Sequence, residues 1–513
     1  MKKTLIISTA LLGMISLSNN LSISYADEAT PYLISNEYKN EIKIDFADQY
    51  LEEAVKASLG LQHSEDVTEE NILELRSLEW YNGNISDLTG LEHAINLSKV
   101  TLTGNNISSL QPLVNLENLT SIGLSNNPIA ISEVLLLDNV LELDLSGNHY
   151  GEEINELAKY TKMTNLWLND CGLTNIDFVQ GMDELIWLRV MDNQITSLNS
   201  LNSNSLTGLW ATNNVLTTLE DISSFGSLRG VYLEGNQLKS IDVLQNVSTL
   251  ERIYADNNNI SSVNMSNNDS LQYIYLNNNS ISMLNLNNMR SLLTFDGRSN
   301  NIRHLDGLSK IPSLKQLYLY NNEITDLSGL ETLSTLTLLQ LQSNQNIEDF
   351  TPINSLQNLN SLYMNDTGIE NSDIESIGEL PLLQELGVAK GNLKNIDFIT
   401  QFPSLNAISL DENHLSDIST LPEGIFYSAV NQTITLPASV LGTSTEFSLK
   451  DIDGGFDMET IDWQTKGNLT LLENGLVSLT WNNIGENSFN FLGNYSEQLG
   501  KVAFSGRILQ LVN

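Results

Sequence analysis

The stretch that decides the fold is LERIYADNNNI at residues 250–260, which returns as LQYIYLNNNSI at 271–281 and as LKQLYLYNNEI at 314–324. One template, L-x-x-L-x-L-x-x-N-x-L, describes all three with substitutions. A repeated unit of this length predicts a stacked repeat protein. We find sixteen copies, which open at Leu75, Leu97, Leu119, Val140, Met163, Leu185, Leu206, Leu228, Leu250, Leu271, Leu292, Leu314, Leu336, Leu359, Leu383 and Leu405.

Inside each copy the apolar residues alternate, as Ile274 and Leu276 do, and this alternation predicts one short strand per copy. A single strand cannot bury its apolar face alone, so the copies must stack as a parallel sheet over one continuous core. The pattern is that of the leucine-rich repeat. We therefore expect an α/β-type solenoid over residues 75–423, a horseshoe with the sheet on its concave side and short 3₁₀ or single-turn helices between strands.

The ninth template position is Asn in twelve of the sixteen copies. The chain turns inward here and leaves backbone groups that water cannot reach, and an Asn side chain can both donate to them and accept from them. We expect these side chains to link each repeat to the next. They are Asn105, Asn127, Asn148, Asn193, Asn214, Asn236, Asn258, Asn279, Asn300, Asn322, Asn344 and Asn413, and the other copies have Gly83, Cys171, Thr367 and Gly391.

Residues 1–26 have the features of a secretory signal segment. Lys2 and Lys3 precede an apolar run, and Ser24-Tyr25-Ala26 forms a small-x-small cleavage site. A membrane anchor would need a longer apolar run. The sequence therefore predicts an exported protein, and its last residues, ILQLVN, show no covalent wall anchor.

Residues 27–74 are expected to form a lead and a helical cap. In DFADQYLEEAVKASLG, residues 45–60, the apolar side chains fall at helical spacing and Gly60 is a natural stop. The first repeat has an open core edge that needs a cover, which explains such a helix. A partner-binding amphipathic helix is the alternative.

The repeat period is lost after residue 423. Residues 424–513 contain short stretches rich in β-branched and aromatic residues, separated by Gly, Asn and Asp. We expect a small all-β, Ig-like sandwich that covers the other open end of the solenoid. The acidic run at 451–457 lacks the spacing and the closing Glu of an EF-hand, which favours a turn over a calcium site.

Short motifs mark the cap, the turns and the tail. The cap reads F-x-D-x-x-L-x-x-A-V from Phe46, the turns read D-L-x-G-L at 87–91 and 326–330, and the tail carries I-x-W from Ile461 and F-S-G-x-x-x-Q from Phe504. In these motifs the chain resembles the internalin family of Gram-positive bacteria. The resemblance implies a curved, rigid protein that binds a protein partner, often a host receptor, through its concave face. Without a sorting signal or wall-binding repeats, the chain is similar to the secreted members.

Four template positions, the third, fifth, seventh and eighth, face out of the sheet, and we call the surface that they form the outward face. Trp and Tyr concentrate there, above all at the fifth position of repeats 7 to 10. Because adjacent strands lie about 4.8 Å apart, these rings should form a ladder. The predicted partner-binding residues are Trp167, Trp187, Arg189, Trp210, Tyr232, Tyr254, Tyr273, Tyr275, Tyr318, Tyr320 and Tyr363.

Two interpretations of these rings compete. Cross-strand ring pairs can stabilise a sheet, each by about 0.2–1 kcal/mol. A binding strip is favoured, because sheet stability alone does not require rings on the wet face and because Trp, Tyr and Arg dominate protein interfaces. Acidic residues among the rings, such as Glu234 and Asp256, would suit a partner that presents Lys or Arg. Ordinary solvation of an acidic protein is the alternative for these charges.

Other chemistry finds little support in the sequence. The net charge of −39 argues against nucleic acid and anionic membrane surfaces as partners. Cys171 is expected to be a buried structural thiol. The five histidines show no metal or triad spacing, and no GxSxG, P-loop or HExxH motif occurs. We expect a monomer with no enzyme activity, no cofactor, no metal and no membrane insertion.

The sequence thus predicts a secreted binding protein that recognises a host cell-surface protein, or another host protein, through its aromatic concave face. The alternative is a cell-envelope protein that binds glycan or wall polymer, because an aromatic strip can also stack on sugar rings. An enzyme is the third hypothesis, which measurable turnover by the pure protein would favour.

Overall fold

The computed structural model describes residues 42–219, 222, 225–455, 457–493, 495–496 and 501–513. The predicted signal segment, residues 1–26, and the lead as far as residue 41 lie outside the described residues. Residues Lys43–Asn513 pack as one compact unit.

The predicted helical cap is confirmed. Its helix α1 (Gln49–Leu59) begins at Asp48, whose carboxylate accepts hydrogen bonds from two N–H groups of the first turn, and ends at Gly60 with φ of 71°. The other oxygen of Asp48 accepts the Ser86 N–H at 2.7 Å, which ties the cap to the chain that follows the first repeat strand. The helix face toward the first repeat buries Leu51, Ala54 and Val55.

Each of the sixteen predicted copies forms a three-residue strand that begins two residues after its opening position. The first nine strands are β1 (Ser77–Glu79), β2 (Lys99–Thr101), β3 (Ser121–Gly123), β4 (Glu142–Asp144), β5 (Asn165–Trp167), β6 (Trp187–Arg189), β7 (Gly208–Trp210), β8 (Gly230–Tyr232) and β9 (Arg252–Tyr254). The next nine are β10 (Ser262–Asn264), β11 (Tyr273–Tyr275), β12 (Met283–Asn285), β13 (Thr294–Asp296), β14 (Gln316–Tyr318), β15 (Leu338–Gln340), β16 (Ser361–Tyr363), β17 (Glu385–Gly387) and β18 (Ala407–Ser409).

All of these strands except β10 and β12 belong to one parallel sheet. Its register sets each third position beside the third position of the next repeat, as in Tyr273 opposite Thr294. The fourth and sixth positions, such as Ile274 and Leu276, are fully buried. The predicted leucine-rich-repeat solenoid is therefore confirmed.

Short helices fill many of the return segments between strands. The α-helices are α2 (Ile131–Val134) and α3 (Asn371–Ile377), and both lie in copies with irregular return segments. Among the described residues, the 3₁₀ helices are Asn71–Glu74, which precedes the first strand, then Leu91–His93, Gln111–Leu113, Gly151–Lys159, Asp177–Val179, Asp242–Asn246, Asp306–Leu308, Leu330–Thr332, Thr351–Ser355, Asp397–Gln401 and, near the C-terminus, Met458–Thr460.

Two return segments differ from the predicted helical turns. In repeats 9 and 10 the return is extended, and β10 pairs with β12 in parallel. The physical reason is a second alternating pattern: Val263 and Met265, and likewise Leu284 and Leu286, point to the core at strand period. The Asn285 amide also donates to Asn264 Oδ1 at 3.0 Å, which joins the two segments.

The ninth-position asparagines form the predicted connections. The Asn258 amide donates to the carbonyls of Leu233 and Ala255 at 3.0 and 3.1 Å, and its Oδ1 accepts the Leu238 N–H at 3.0 Å. One buried side chain thus satisfies backbone groups in two repeats. Where the copy has Cys171, the thiol is buried, and burial raises its pKa to about 11.

Among the described residues after 423 there are nine strands: β19 (Phe426–Ser439), β20 (Ser444–Phe447), β21 (Asp462–Trp463), β22 (Gly467–Leu471), β23 (Val477–Trp481), β24 (Gly485–Leu492), β25 (Tyr495–Ser496), β26 (Lys501–Val502) and β27 (Phe504–Val512). Strand β19 pairs in parallel with both β18 and β27, while β27, β24 and β21 are antiparallel neighbours. Strands β20, β23 and β22 form a separate antiparallel sheet.

The repeat sheet therefore continues across the predicted boundary between residues 423 and 424. Gln432 repeats the bonding of a ninth-position Asn: its amide donates to Leu410 O at 2.8 Å and its Oε1 accepts the Leu415 N–H at 2.9 Å. Asn431 before it has φ of 61°, as Asn257 at an eighth position has 56°. The boundary itself, and the Ig-like character of residues 424–513, stay predictions.

Candidate functional site

The eleven predicted binding residues all lie on the outward face of the repeat sheet. Seven aromatic residues and Arg189 occupy the fifth position, Trp187 and Tyr273 occupy the third position, and Tyr320 occupies the seventh. Along each strand the fourth position is buried and the flanking positions are in most repeats partly exposed. Trp187 is the most exposed of the set, at 40%.

Four of these rings form one continuous stack. The ring centroids of Trp210 and Tyr232 are 4.7 Å apart, those of Tyr232 and Tyr254 are 4.9 Å apart, and those of Tyr254 and Tyr275 are 4.7 Å apart. The planes are within 6 to 9° of parallel. Because the separations match the strand spacing, the sheet itself sets the stacking distance. The faces of the inner rings are covered by one another, and the ring edges and the tyrosine hydroxyls remain for contact.

Two glycines that the sequence analysis did not single out make room for the stack. They are Gly208 and Gly230, at the third position of the strands that carry Trp210 and Tyr232. A Cβ atom on Gly208 would lie 2.5 Å from Trp210 Cζ3, and a Cβ atom on Gly230 would lie 3.3 Å from Tyr232 Cε2. Each ring therefore leans back over its own glycine. The signal in the sequence is a Gly two residues before the ring, as in G-L-W and G-V-Y.

Arg189 closes one end of the stack. Its guanidinium carbon lies 4.6 Å from the centroid of Trp210 and 5.9 Å from that of Trp167, so the cation sits between two indole rings. It also lies 5.9 Å from Trp187, which contacts Trp210 at 6.0 Å in a tilted arrangement. Cation–π attraction thus joins Trp167 and Trp187 to the ladder.

The other end of the stack is Tyr275, because repeat 11 has Asp296 in place of a ring. Tyr318 follows Asp296 in register, and Tyr363 lies two strands further on, beyond Gln340. The structure therefore does not stack Tyr318 or Tyr363 on the ladder. Tyr363 instead donates a hydrogen bond to Glu385, and burial together with this carboxylate raises the pKa of Tyr363 to about 12.

Three carboxylates, those of Glu234, Asp256 and Asp296, lie beside the stack, and Arg298 lies next to Asp296. The pKa of Asp256 is raised to about 6, mainly by burial and also by the nearby carboxylates of Asp296 and Glu234, while the Asn277 N–H at 2.8 Å and Arg298 oppose the shift. Asp296 pairs with Arg298 at 2.7 Å, yet burial still raises its pKa. Two carboxylates and one cation thus act on Asp256.

Within the described ranges, neither a cluster of possible metal ligands nor a membrane-spanning helix is present. No group of three or more His, Cys, Asp or Glu side chains is placed there to hold a metal ion. None of the helices in the same part of the chain is long and apolar enough to cross a bilayer.

Comparisons by sequence reach only part of the chain. No protein-family model matches it. The 187-kDa microtubule-associated protein AIR9 of Arabidopsis thaliana is 31% identical over 120 residues, which are 23% of this chain and 7% of that protein. A protein phosphatase 1 regulatory inhibitor subunit PPP1R7 homolog of the same plant is 39% identical over 71 residues, 13% of this chain and 22% of that protein. The chain thus spans less than a quarter of either relative.

Solved structures match far more of the fold. The functional domain of InlJ from Listeria monocytogenes, which includes a cysteine ladder, has a TM-score of 0.65 at 22% identity and covers 90% of this chain and 95% of its own. An internalin, inlF, of L. monocytogenes scores 0.52 at 23% identity, with 71% and 95% covered. The plant peptide hormone receptor RGFR1 in complex with RGF2 scores 0.54 at 16% identity, with 74% and 71% covered. The chain therefore has a leucine-rich-repeat fold similar to that of solved internalins.

Proposed function

We propose that this chain is an exported, non-enzymatic protein that binds a host cell-surface protein through the aromatic outward face of its repeat sheet. The observation that carries the proposal is the stack of Trp210, Tyr232, Tyr254 and Tyr275, whose rings remain partly exposed. Trp167, Trp187 and Arg189 extend it on one side, Tyr318, Tyr320 and Tyr363 lie in the repeats beyond Tyr275, and Tyr273 lies in the same strand as Tyr275.

The stack is preorganised for binding. Its rings pack against one another on the sheet, and Gly208 and Gly230 leave room for two of them. A partner would therefore order few side chains on docking. Trp, Tyr and Arg are the residues that most often dominate protein interfaces. A large exposed apolar strip is also unusual on a soluble protein that has no partner for it.

The stacking geometry favours a protein partner over a glycan. A sugar ring stacks on an aromatic face, but here the inner rings already cover one another at 4.7 to 4.9 Å. Ring edges and hydroxyl groups suit the side chains and carbonyl groups of a protein. Similar folds that bind a peptide, such as RGFR1 with RGF2, agree with this class of partner.

The test is binding of residues 27–513 to intact mammalian cells and to purified bacterial wall, each with and without protease treatment. A variant with Trp187, Trp210, Tyr254 and Tyr275 all changed to Ser should lose saturable, protease-sensitive binding to cells. The matched control changes Tyr50 and Tyr81 to Ser, since these exposed aromatic residues lie outside the ladder. Circular dichroism of each variant first establishes that it folds.

Equal cell binding by the ring variant and the wild type would overturn the proposal. So would binding to wall alone that survives protease, which would favour the envelope hypothesis.

A further inference from the structure

The outward face carries three arginines, and they differ in how their charge is met. They are Arg189 in β6, Arg252 in β9 and Arg298, which lies two residues after β13. Arg298 forms an ion pair with Asp296 at 2.7 Å, and Arg252 forms one with Glu251 at 4.0 Å. Within the described part of the chain, the side chain of Arg189 has neither an ion pair nor a hydrogen bond, and its Nε is buried without an acceptor.

The carboxylates of the neighbouring outward face do not serve Arg189. Asp144, at the fifth position of β4, accepts a backbone N–H of its own repeat at 3.0 Å. Asp192, later in the same repeat as Arg189, accepts the Asn213 amide at 2.7 Å. Asp170 is exposed to solvent and makes no ion pair with the guanidinium group. The positive charge of Arg189 is therefore not neutralised by an acid of the described chain.

The rings around Arg189 hold its guanidinium group but cannot accept its hydrogen bonds. The central carbon of the group lies 4.6 Å from the centroid of Trp210 and 5.9 Å from those of Trp167 and Trp187. An indole has an N–H donor and no acceptor. Cation–π attraction thus fixes the position of the cation and leaves its N–H donors unbonded.

The outer end of Arg189 is open to a partner. The residue is partly exposed, and Trp187 in the same strand is 40% exposed. Because side chains stand away from a sheet and the Nε of Arg189 is buried, the part that solvent reaches is the outer end with the two Nη groups. These groups carry most of the N–H donors of a guanidinium.

A carboxylate is the acceptor that this site favours. Its two oxygen atoms match the parallel N–H groups of the planar guanidinium, and its charge neutralises the cation. The indole rings exclude water from one side of such a pair, which strengthens the hydrogen bonds. A neutral carbonyl group would accept a hydrogen bond but would leave the positive charge unmet.

We propose that Arg189, held among Trp167, Trp187 and Trp210, receives a carboxylate of the protein partner, from an aspartate or a glutamate side chain. The proposal rests on the proposed function, because it identifies what the partner must present to the outward face. It also orients the partner, since its carboxylate must meet the Trp210 end of the stack and not the Tyr275 end.

The experiment uses a small probe in place of the unidentified partner. The α-amide of N-acetylaspartate is titrated at constant ionic strength into residues 27–513 with ¹⁵N-labelled tryptophan indoles, and N-acetylasparagine amide is the neutral control. Single changes to Phe identify the signals of Trp167, Trp187 and Trp210. These three signals should shift with the aspartate probe and not with the asparagine probe, while those of Trp463 and Trp481 in the terminal strands stay in place.

Two variants at Arg189 test the cation itself. Arg189→Gln should weaken the aspartate probe by about tenfold, because it removes both the charge and the paired N–H donors. Arg189→Lys keeps the charge and loses the paired donors, so it should weaken the probe by less, and it remains informative if Arg189→Gln fails to fold. Arg290→Gln is the matched control, since it makes the same charge change at an exposed site outside the outward face, and it should leave the affinity unchanged.

An equal response to both probes overturns the proposal, as does no response to either probe or an unchanged affinity in Arg189→Gln. The outcome is separate from that of the cell-binding test, since the titration involves no partner. A silent titration with retained, protease-sensitive cell binding removes the carboxylate site alone. A positive titration without any cell binding removes the proposed function alone.

Discussion

Gly208 holds the space into which the Trp210 ring leans. A Cβ atom there would lie 2.5 Å from the indole, and we expect Gly208→Ala to cost about 1–3 kcal/mol of unfolding free energy and to displace the ring. The change at Gly230 should cost less, because its Cβ would lie at 3.3 Å, where a small ring movement suffices. Urea unfolding and near-ultraviolet circular dichroism measure the two effects.

Gly226→Ala is the control for these variants, because a Cβ atom at Gly226 meets nothing within 4 Å. It should leave both the unfolding free energy and the aromatic spectrum unchanged. If all three alanine variants behave alike, the glycines do not position the rings.

Asp256 should make the unfolding free energy fall between about pH 4 and pH 6. Its pKa in the folded chain is about 6, above the ordinary 3.8, so the folded state binds the proton more tightly than the unfolded chain does. The stabilisation from that proton is complete below the unfolded pKa and is lost as the pH rises through 6. Asp256→Asn should flatten this part of the profile, measured by urea unfolding at each pH.

The control for Asp256→Asn is Asp183→Asn, which makes the same charge change at an exposed site. Its profile should remain parallel to that of the wild type. A parallel profile for Asp256→Asn as well would show that this carboxyl group titrates normally.

At the scale of single residues, the sequence predicts which side chains reach the outward face but not how their rings lie. Tyr232 and Tyr254 follow from the template, because strand alternation fixes the face on which each position lies. The lean of the rings depends on Gly208 and Gly230, and the template treats the third position as variable. The break after Tyr275 likewise depends on one short side chain, Asp296.

Strand β19 continues the hydrogen bonding of the ninth-position asparagines through Gln432, which is 1% exposed and satisfies backbone groups of the last predicted repeat. Gln432→Ala would leave the Leu410 carbonyl and the Leu415 N–H buried without this partner. We expect a loss of about 2–4 kcal/mol in unfolding free energy. Hydrogen exchange at the Leu415 amide should accelerate in the same variant.

Gln464→Ala is the matched control, because Gln464 is exposed on the terminal module and bonds to a neighbouring side chain. It should change neither measurement. Slow exchange of the Leu415 amide in Gln432→Ala would mean that the series of ninth-position hydrogen bonds ends at Asn413.

At the scale of elements, the sixteen repeat strands could be placed from the sequence because the template fixes both their spacing and their phase. Strand β19 lies outside the sixteen predicted copies, because Gly424 and Gln432 stand where the template has Leu and Asn. Strands β10 and β12 were missed because a three-residue alternation, such as Val263 and Met265, is too short to distinguish from a helical turn. The intrinsic preference of these residues for strand or helix is weak, and stacking between repeats decides which of the two forms.

The whole molecule is strongly anionic, with a net charge of −39, so like charges repel along its surface. We expect added sodium chloride to raise the melting temperature at neutral pH, because salt screens this repulsion within about 10 Å at 0.1 M. Calorimetry at low and moderate salt measures the shift. Near the isoelectric point of about 4.2 the net repulsion vanishes, and the same salt step should have little effect there. A salt effect of the same size at both pH values would assign it to something other than net charge.

Because β19 pairs with β18 of the repeats and with β27 of the terminal strands, no flexible tether separates the two parts. Two binding sites, one on the repeats and one on the terminal strands, would therefore be held at a fixed distance from each other. A second contact would then gain its effective concentration from geometry and not from the length of a linker. Partners whose own two sites match that separation would gain avidity, and partners with any other spacing would engage one site at a time.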